Sequence, residues 1–294
     1  MCPEPVPFIQ RRVGATTFFK NRPYLTSSAM SLLQTVQLQP EASNRRLAVL
    51  TGLGVTKDND NDGVLPTYLS YLQAMDLIAP GTREGIRFIL TETGSTLLEC
   101  DRLASGRGTV ALMAMLLCEP FKGAHIFDWT VRGMLSHLRS FSIDDLRQEV
   151  EKLAAQERLG PTHAANFDVV TRAFTGTAAF GPITPWTSPR KDEYVPQPPL
   201  ELEPFIFWPA AFMFVRCWRG AFPNTYEATL RDVRREVLVL PRGVLGVRGR
   251  VEEQFIDGLQ REGIISTTAV TMERVTIEAR DVDLPSMLRQ AFSS

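Results

Sequence analysis

Between Gly181 and Pro204, seven of 24 residues are proline: Pro182, Pro185, Pro189, Pro196, Pro198, Pro199 and Pro204. That density stops a helix and keeps a chain out of a sheet interior, because proline donates no backbone hydrogen bond and crowds the preceding residue. The stretch reads as a linker, or as an extended arm laid across a surface. It divides the 294 residues into a longer N-terminal part and a C-terminal part, each large enough to bury a core at 44% hydrophobic and 22% charged residues. The formal charge of -1 offers no global cationic field to hold phosphates, so any nucleic-acid contact has to come from a local patch.

The four cysteines, Cys2, Cys100, Cys118 and Cys217, form neither a CxxC nor a Cys/His cluster, which points to a reduced, cytoplasmic protein with no metal or cofactor. MCPEPVPFIQRR has acid and proline where an export signal needs positive charge followed by an apolar run. The longest apolar stretch, Phe205 to Val215, is too short to span a bilayer and predicts a buried helix, so no membrane contact is expected.

Residues 1–43 read as an N-terminal arm. From residue 44 to 102 the pattern resolves into elements: a short helix over Asn44–Thr51 stopped by Gly52 and Gly54, then a polar turn to Gly63. A helix follows with Tyr68, Leu69, Leu72 and Met75 on one face and ends in Asp76-Leu-Ile-Ala-Pro80. Gly81 to Gly85 makes a turn, Ile86, Phe88 and Leu90 alternate as a strand, and Thr91 N-caps another helix. Residues 103–180 read as a helical middle segment. Its clearest element opens on the capping box Ser142-Ile-Asp-Asp145, carries Leu146, Val150 and Leu153 on one face and stops at Gly160-Pro161. Residues 181–204 are the proline-rich linker.

Residues 205–294 repeat the earlier grammar. A very apolar helix over Phe205 to Trp218 precedes a short helix within Tyr226 to Leu240. A helix over Gly249 to Glu262 then carries Val251, Phe255 and Leu259 at i, i+4, i+8. After Glu262-Gly-Ile-Ile265 come a hairpin of Thr267–Val270 and Arg274–Ala279, with Val275 and Ile277 on one face, and a final helix from Asp283. The expected fold class is mainly α with small β-hairpin wings (α+β).

The order helix, turn, helix, strand, helix, with "YLQAMDLI" before the hairpin and "ILTETGSTLLE" after it, resembles the winged helix-turn-helix superfamily. The resemblance implies two winged-helix domains joined by a helical segment and the proline-rich linker. It makes Leu65 to Ile78 the counterpart of the first recognition helix and Gly249 to Glu262 that of the second.

Between Arg231 and Arg250 stand six arginines, Arg231, Arg234, Arg235, Arg242, Arg248 and Arg250, against Asp232 and Glu236. Guanidinium groups and helix N-terminal N–H groups hold phosphates, so this cluster is the candidate contact for double-stranded DNA. The alternative is that Arg234 and Arg235 solvate a helix face or pair with Glu252 and Glu253. At the other end of the chain, Asp58-Asn-Asp-Asn-Asp-Gly63 matches the first half of a calcium loop but has Leu69 where the bidentate Glu belongs, which favours a polar turn over a metal site. Its three carboxylates repel phosphate, so the N-terminal unit is expected to face protein, either a partner subunit or a second copy of the chain. His125, His137 and His163 lie in no nucleophile motif, and no Walker A, GxGxxG or HExxH is present. The aromatics Phe205, Phe207, Trp208, Phe212, Phe214 and Trp218 read as core before they read as a platform for bases.

The run Leu53-Gly-Val-Thr-Lys57, then "YLSYLQAMDLI", "LTETG" and a later "EPFIFWPAAFMFVRCW", also resembles an uncharacterised family encoded beside bacterial DNA-phosphorothioation and BREX-type phage-defence genes. That resemblance implies a non-enzymatic accessory subunit of a defence or DNA-processing complex. A structural subunit of the kind that bridges chromosome-condensing complexes, binding protein and dimerising, is the alternative.

Overall fold

The computed structural model describes residues 25–53, 65–119, 201–271, 274–279 and 282–294, with short pieces between them at 131, 140–142, 144–145, 148, 152, 183, 186–190, 193–196 and 199. The protein is mainly helical with short antiparallel sheets. The sequence places residues 1–43 in an arm; instead, Leu25–Leu38 is a helix (α1) whose Ala29, Leu32, Leu33 and Val36 are buried.

Helix α2 (Asn44–Thr51) begins where the Ser43 hydroxyl accepts the Arg46 N–H at 3.3 Å and ends at Gly52. Helix α3 (Leu65–Ala74) buries Tyr68, Leu69 and Leu72, with Met75 just beyond its end. It is shorter than the Leu65 to Ile78 span expected from sequence, because Ile78–Pro80 (β1) leaves the helix to pair antiparallel with Phe88–Leu90 (β2). Thr91 caps α4 (Glu92–Cys100), its hydroxyl accepting the Gly94 N–H at 3.1 Å. Asp101 then starts α5 (Arg107–Leu117), its carboxylate accepting from the Gly106 N–H at 2.9 Å and the Thr109 hydroxyl at 2.7 Å.

In the middle segment, expected to be wholly helical, Phe141–Ser142 (β3) is a strand. The capping box beside it forms reciprocally: Asp145 N–H donates to Ser142 Oγ at 3.0 Å, and Ser142 N–H donates to Asp145 Oδ2 at 3.0 Å. Leu146, Val150, Leu153 and the stop at Gly160-Pro161 lie outside the described residues. The proline-rich stretch is extended but not a free linker. Trp186–Arg190 (β4) and Glu193–Pro196 (β5) make a hairpin that adds β3, in the order β3-β5-β4. Proline survives there because Pro189 lies on an edge strand, inside the register shift between Thr187 and Arg190, and Pro196 closes β5.

Helix α6 (Pro204–Ala221) is the axis of the molecule. It opens on a proline at its first position, tolerates Pro209 inside, and buries Phe205, Phe207, Phe212, Phe214 and Trp218. Beyond it run Glu227–Thr229 (β6), Leu230–Glu236 (α7), Val239–Val244 (α8), Arg250–Arg261 (α9), Ile265–Thr271 (β7), Arg274–Ala279 (β8) and Leu284–Ser293 (α10). The sheet order is β6-β8-β7, with Ala228 opposite Ile277 and Thr267 opposite the same residue from the other side. Val251, Phe255 and Leu259 of α9 are buried, as their spacing predicts. Helix α10 returns to pack on α4, α5 and α6, so one continuous apolar core runs from Ala29 to Phe292.

Candidate nucleic-acid interface

The arginine cluster is organised around one buried acid. Glu252, in the first turn of α9, has a side chain 4% exposed and receives Arg234 Nε at 2.6 Å; Arg242 Nε faces its other oxygen at 3.4 Å, an ionic contact without hydrogen-bond geometry. Arg248 reaches back to donate from Nε to the Arg242 carbonyl at 3.0 Å. Burial, and next the neighbouring Arg242 charge, lower the Arg248 pKa from its usual range. Arg235 pairs along its own helix with Glu236 at 2.8 Å and Asp232 at 3.6 Å. Gly249 sits at φ 56°, ψ −128°, a conformation that a side chain disfavours, and this sharp turn delivers Arg250 to the exposed first position of α9. Four of the six candidates, Arg234, Arg235, Arg242 and Arg248, are thus engaged within the protein. Arg231 and Arg250 are exposed and have no ionic partner among the described residues.

Beside Arg250 a groove of about 610 Å³ runs between α9 and the start of α6. One face of α9 lines it with Arg250, Gln254, Gly258 and Arg261, spaced i, i+4, i+8, i+11, and α6 contributes Phe207 and Trp208. Gly258 is required by contact, since a Cβ there would lie 2.6 Å from Phe207 Cε2. Of the six aromatics that the sequence weighs as core or platform, five are buried and Trp208, partly buried, lines this groove. Gln254 and Arg261 escaped the sequence reading because an amide and a lone arginine carry no motif.

A second charged feature joins the N-terminal elements to α6. Arg216 makes a bidentate pair with Glu119, 2.7 Å from Nε to Oε1 and 2.8 Å from Nη2 to Oε2, and its Nη1 lies 2.9 Å from Asp76. Burial opposes the Arg216 charge, but the Glu119 and Asp76 carboxylates outweigh it and raise the pKa. The carboxylates of Asp58-Gly63 and the histidines His125, His137 and His163 lie outside the described residues. Among the described residues no group of three or more His, Cys, Asp or Glu is placed to hold a metal ion, and no helix is long and apolar enough to cross a membrane.

No family model matches the sequence, and no curated protein matches it. Among solved structures the fold is similar to a magnesium ion-bound SspB crystal structure and to a second SspB crystal structure, each with a TM-score of 0.62. Identity is 13% and 14%, and the match covers 90% of this chain and 83% of the SspB chain. At that identity the likeness is one of fold.

Proposed function

We propose that the chain is a tandem winged-helix accessory subunit of a bacterial defence or DNA-processing complex, contacting duplex DNA through the start of α9 and a protein partner through its N-terminal unit. Two observations support the winged-helix reading. Helices α1, α2 and α3 lead into the β1–β2 hairpin, and α6, β6, α7 and α9 lead into β7–β8 with the sheet order β6-β8-β7. The role is one of binding, in keeping with the family that the sequence resembles.

The observation that carries the DNA contact is the pair of exposed, unpartnered guanidiniums, Arg231 and Arg250, flanking a cluster that Glu252 holds in place. Phosphate contact there would position the duplex without reading its sequence. Arg231→Glu with Arg250→Glu is expected to lower duplex retention at low salt by tenfold or more. Wild-type protein that fails to bind duplex DNA at low salt would overturn the proposal.

A second reading rests on Glu253 and Asp257, exposed on the same helix, and on the four arginines already engaged. These favour a structural subunit that binds protein and dimerises. Co-purification of partner subunits, unchanged by the double arginine reversal, supports it.

A further inference from the structure

We infer that the groove between α6 and α9 takes an unstacked nucleobase of single-stranded or locally opened DNA, with Trp208 as its stacking surface. The inference rests on the DNA reading above and extends it from phosphate contact to base contact.

Two features of the groove converge on that ligand. Trp208 is partly buried and held edge-on to Phe207, ring centroids 4.9 Å apart at 74°, while Phe207 is itself fixed against Phe255 at 5.8 Å. The indole is therefore held by rigid core where it lines the groove. Gln254 Oε1 is buried and has no hydrogen-bond partner, so the groove holds an acceptor that a bound donor would satisfy. Exocyclic amines and ring N–H groups of bases are such donors.

Electrostatics decides between a base and an anion as the group recognised. Arg250 and Arg261 are balanced by Glu201 and Glu262 along the groove, so it carries no net charge to draw in a phosphate. A neutral, flat group with donor and acceptor edges fits that balance. The phosphate next to it falls towards the exposed Arg250. Arg250 and Arg261 stand eleven residues apart on one helix, about 16 Å, a span that a short stretch of single strand covers.

The test compares three DNAs by fluorescence anisotropy with the full chain: a duplex, a single strand of matched length, and that strand with its central bases replaced by abasic sites. The abasic strand is expected to bind about tenfold more weakly than the intact strand, as loss of one stacked base requires. Trp208→Ala should weaken the intact strand by a similar factor, leave duplex binding unchanged and be rescued in part by Trp208→Phe. An unchanged melting temperature for Trp208→Ala separates lost contact from lost fold. Equal binding of intact and abasic strands overturns the inference; duplex binding retained alongside leaves the phosphate-contact reading standing. Failure of folded wild type to bind any of the three overturns both. Loss of a co-purifying protein on Trp208→Ala, with DNA binding unchanged, makes the groove a protein site and overturns the inference as well.

Discussion

The Glu252 carboxylate lies between two guanidiniums, 2.6 Å from Arg234 Nε and 3.4 Å from Arg242 Nε, and is almost wholly removed from water. Glu252→Gln keeps the shape and removes the charge, leaving Arg234 and Arg242 facing each other without their counter-ion. Urea unfolding should register a loss of about 1.5–3 kcal/mol, the usual range for a charged hydrogen bond, whereas Arg231→Ala and Arg250→Ala should fall within about 0.5 kcal/mol of wild type. Arg216→Ala strands Glu119 and Asp76 together and should cost about 3–5 kcal/mol, with Arg216→Lys intermediate because an ammonium cannot make the bidentate pair. At Asp145 the Ser142 hydroxyl and then the Ser142 N–H lower the carboxyl pKa below its ordinary 3.8. A folded pKa below the unfolded one means that the capping contribution is whole above pH 3.8 and is lost as pH falls through the lower folded value. The stability difference between wild type and Ser142→Ala should accordingly narrow below that pH. Local residues such as Ser142, Asp145 and Thr91 were readable in the sequence because both partners of each bond lie within one turn. The exposed state of Arg250 and the engaged state of Arg234 were not, because Glu252 is 18 residues from Arg234, and Glu119 is 97 residues from Arg216.

At the scale of elements, periodicity served well wherever a helix has one buried stripe. Val251, Phe255 and Leu259 marked α9, and the hairpin after it follows from the Thr/Val/Ile alternation. It failed where an element depends on a distant partner. The strands β4 and β5 run through a proline-rich stretch that local rules exclude from a sheet, and β3 joins them across some fifty residues of chain. Helix α1 buries Ala29, Leu32, Leu33 and Val36 at i, i+3, i+4, i+7, a helical spacing, but LTSSAMSLLQTVQL has no charged residue to mark an outer face, and its burial comes from α2, α4 and β2. The docking of α10 is a further long-range feature. A Cβ on Gly108 of α5 would lie 2.4 Å from the Ala291 carbonyl oxygen of α10, a backbone atom that cannot turn aside. Gly108→Ala is thus expected to destabilise the protein by about 1–3 kcal/mol through overpacking, measured as a fall in unfolding midpoint; no change would show that α10 is not seated there.

For the whole molecule, the proline-rich stretch suggests two parts, and the core joins them. Residues from α1 to α10 belong to one apolar cluster, with α6 packed on α5 from the first part and on α10 from the end of the chain. Thermal unfolding should therefore be a single transition with coincident midpoints for probes in α3 and in α9; separated midpoints would mean two independently stable units. Of the six arginines near α9, Arg234, Arg235 and Arg242 face carboxylates within the fold, while Arg231 and Arg250 are exposed with no ionic partner among the described residues. Those two are the proposed hold on DNA phosphates. The direct measurement is the dependence of duplex affinity on salt: log K against log salt for wild type, Arg231→Ala, Arg250→Ala and the double variant. A negative wild-type slope that shrinks by about one unit with each arginine removed is the predicted result; a slope unchanged in the double variant would contradict it.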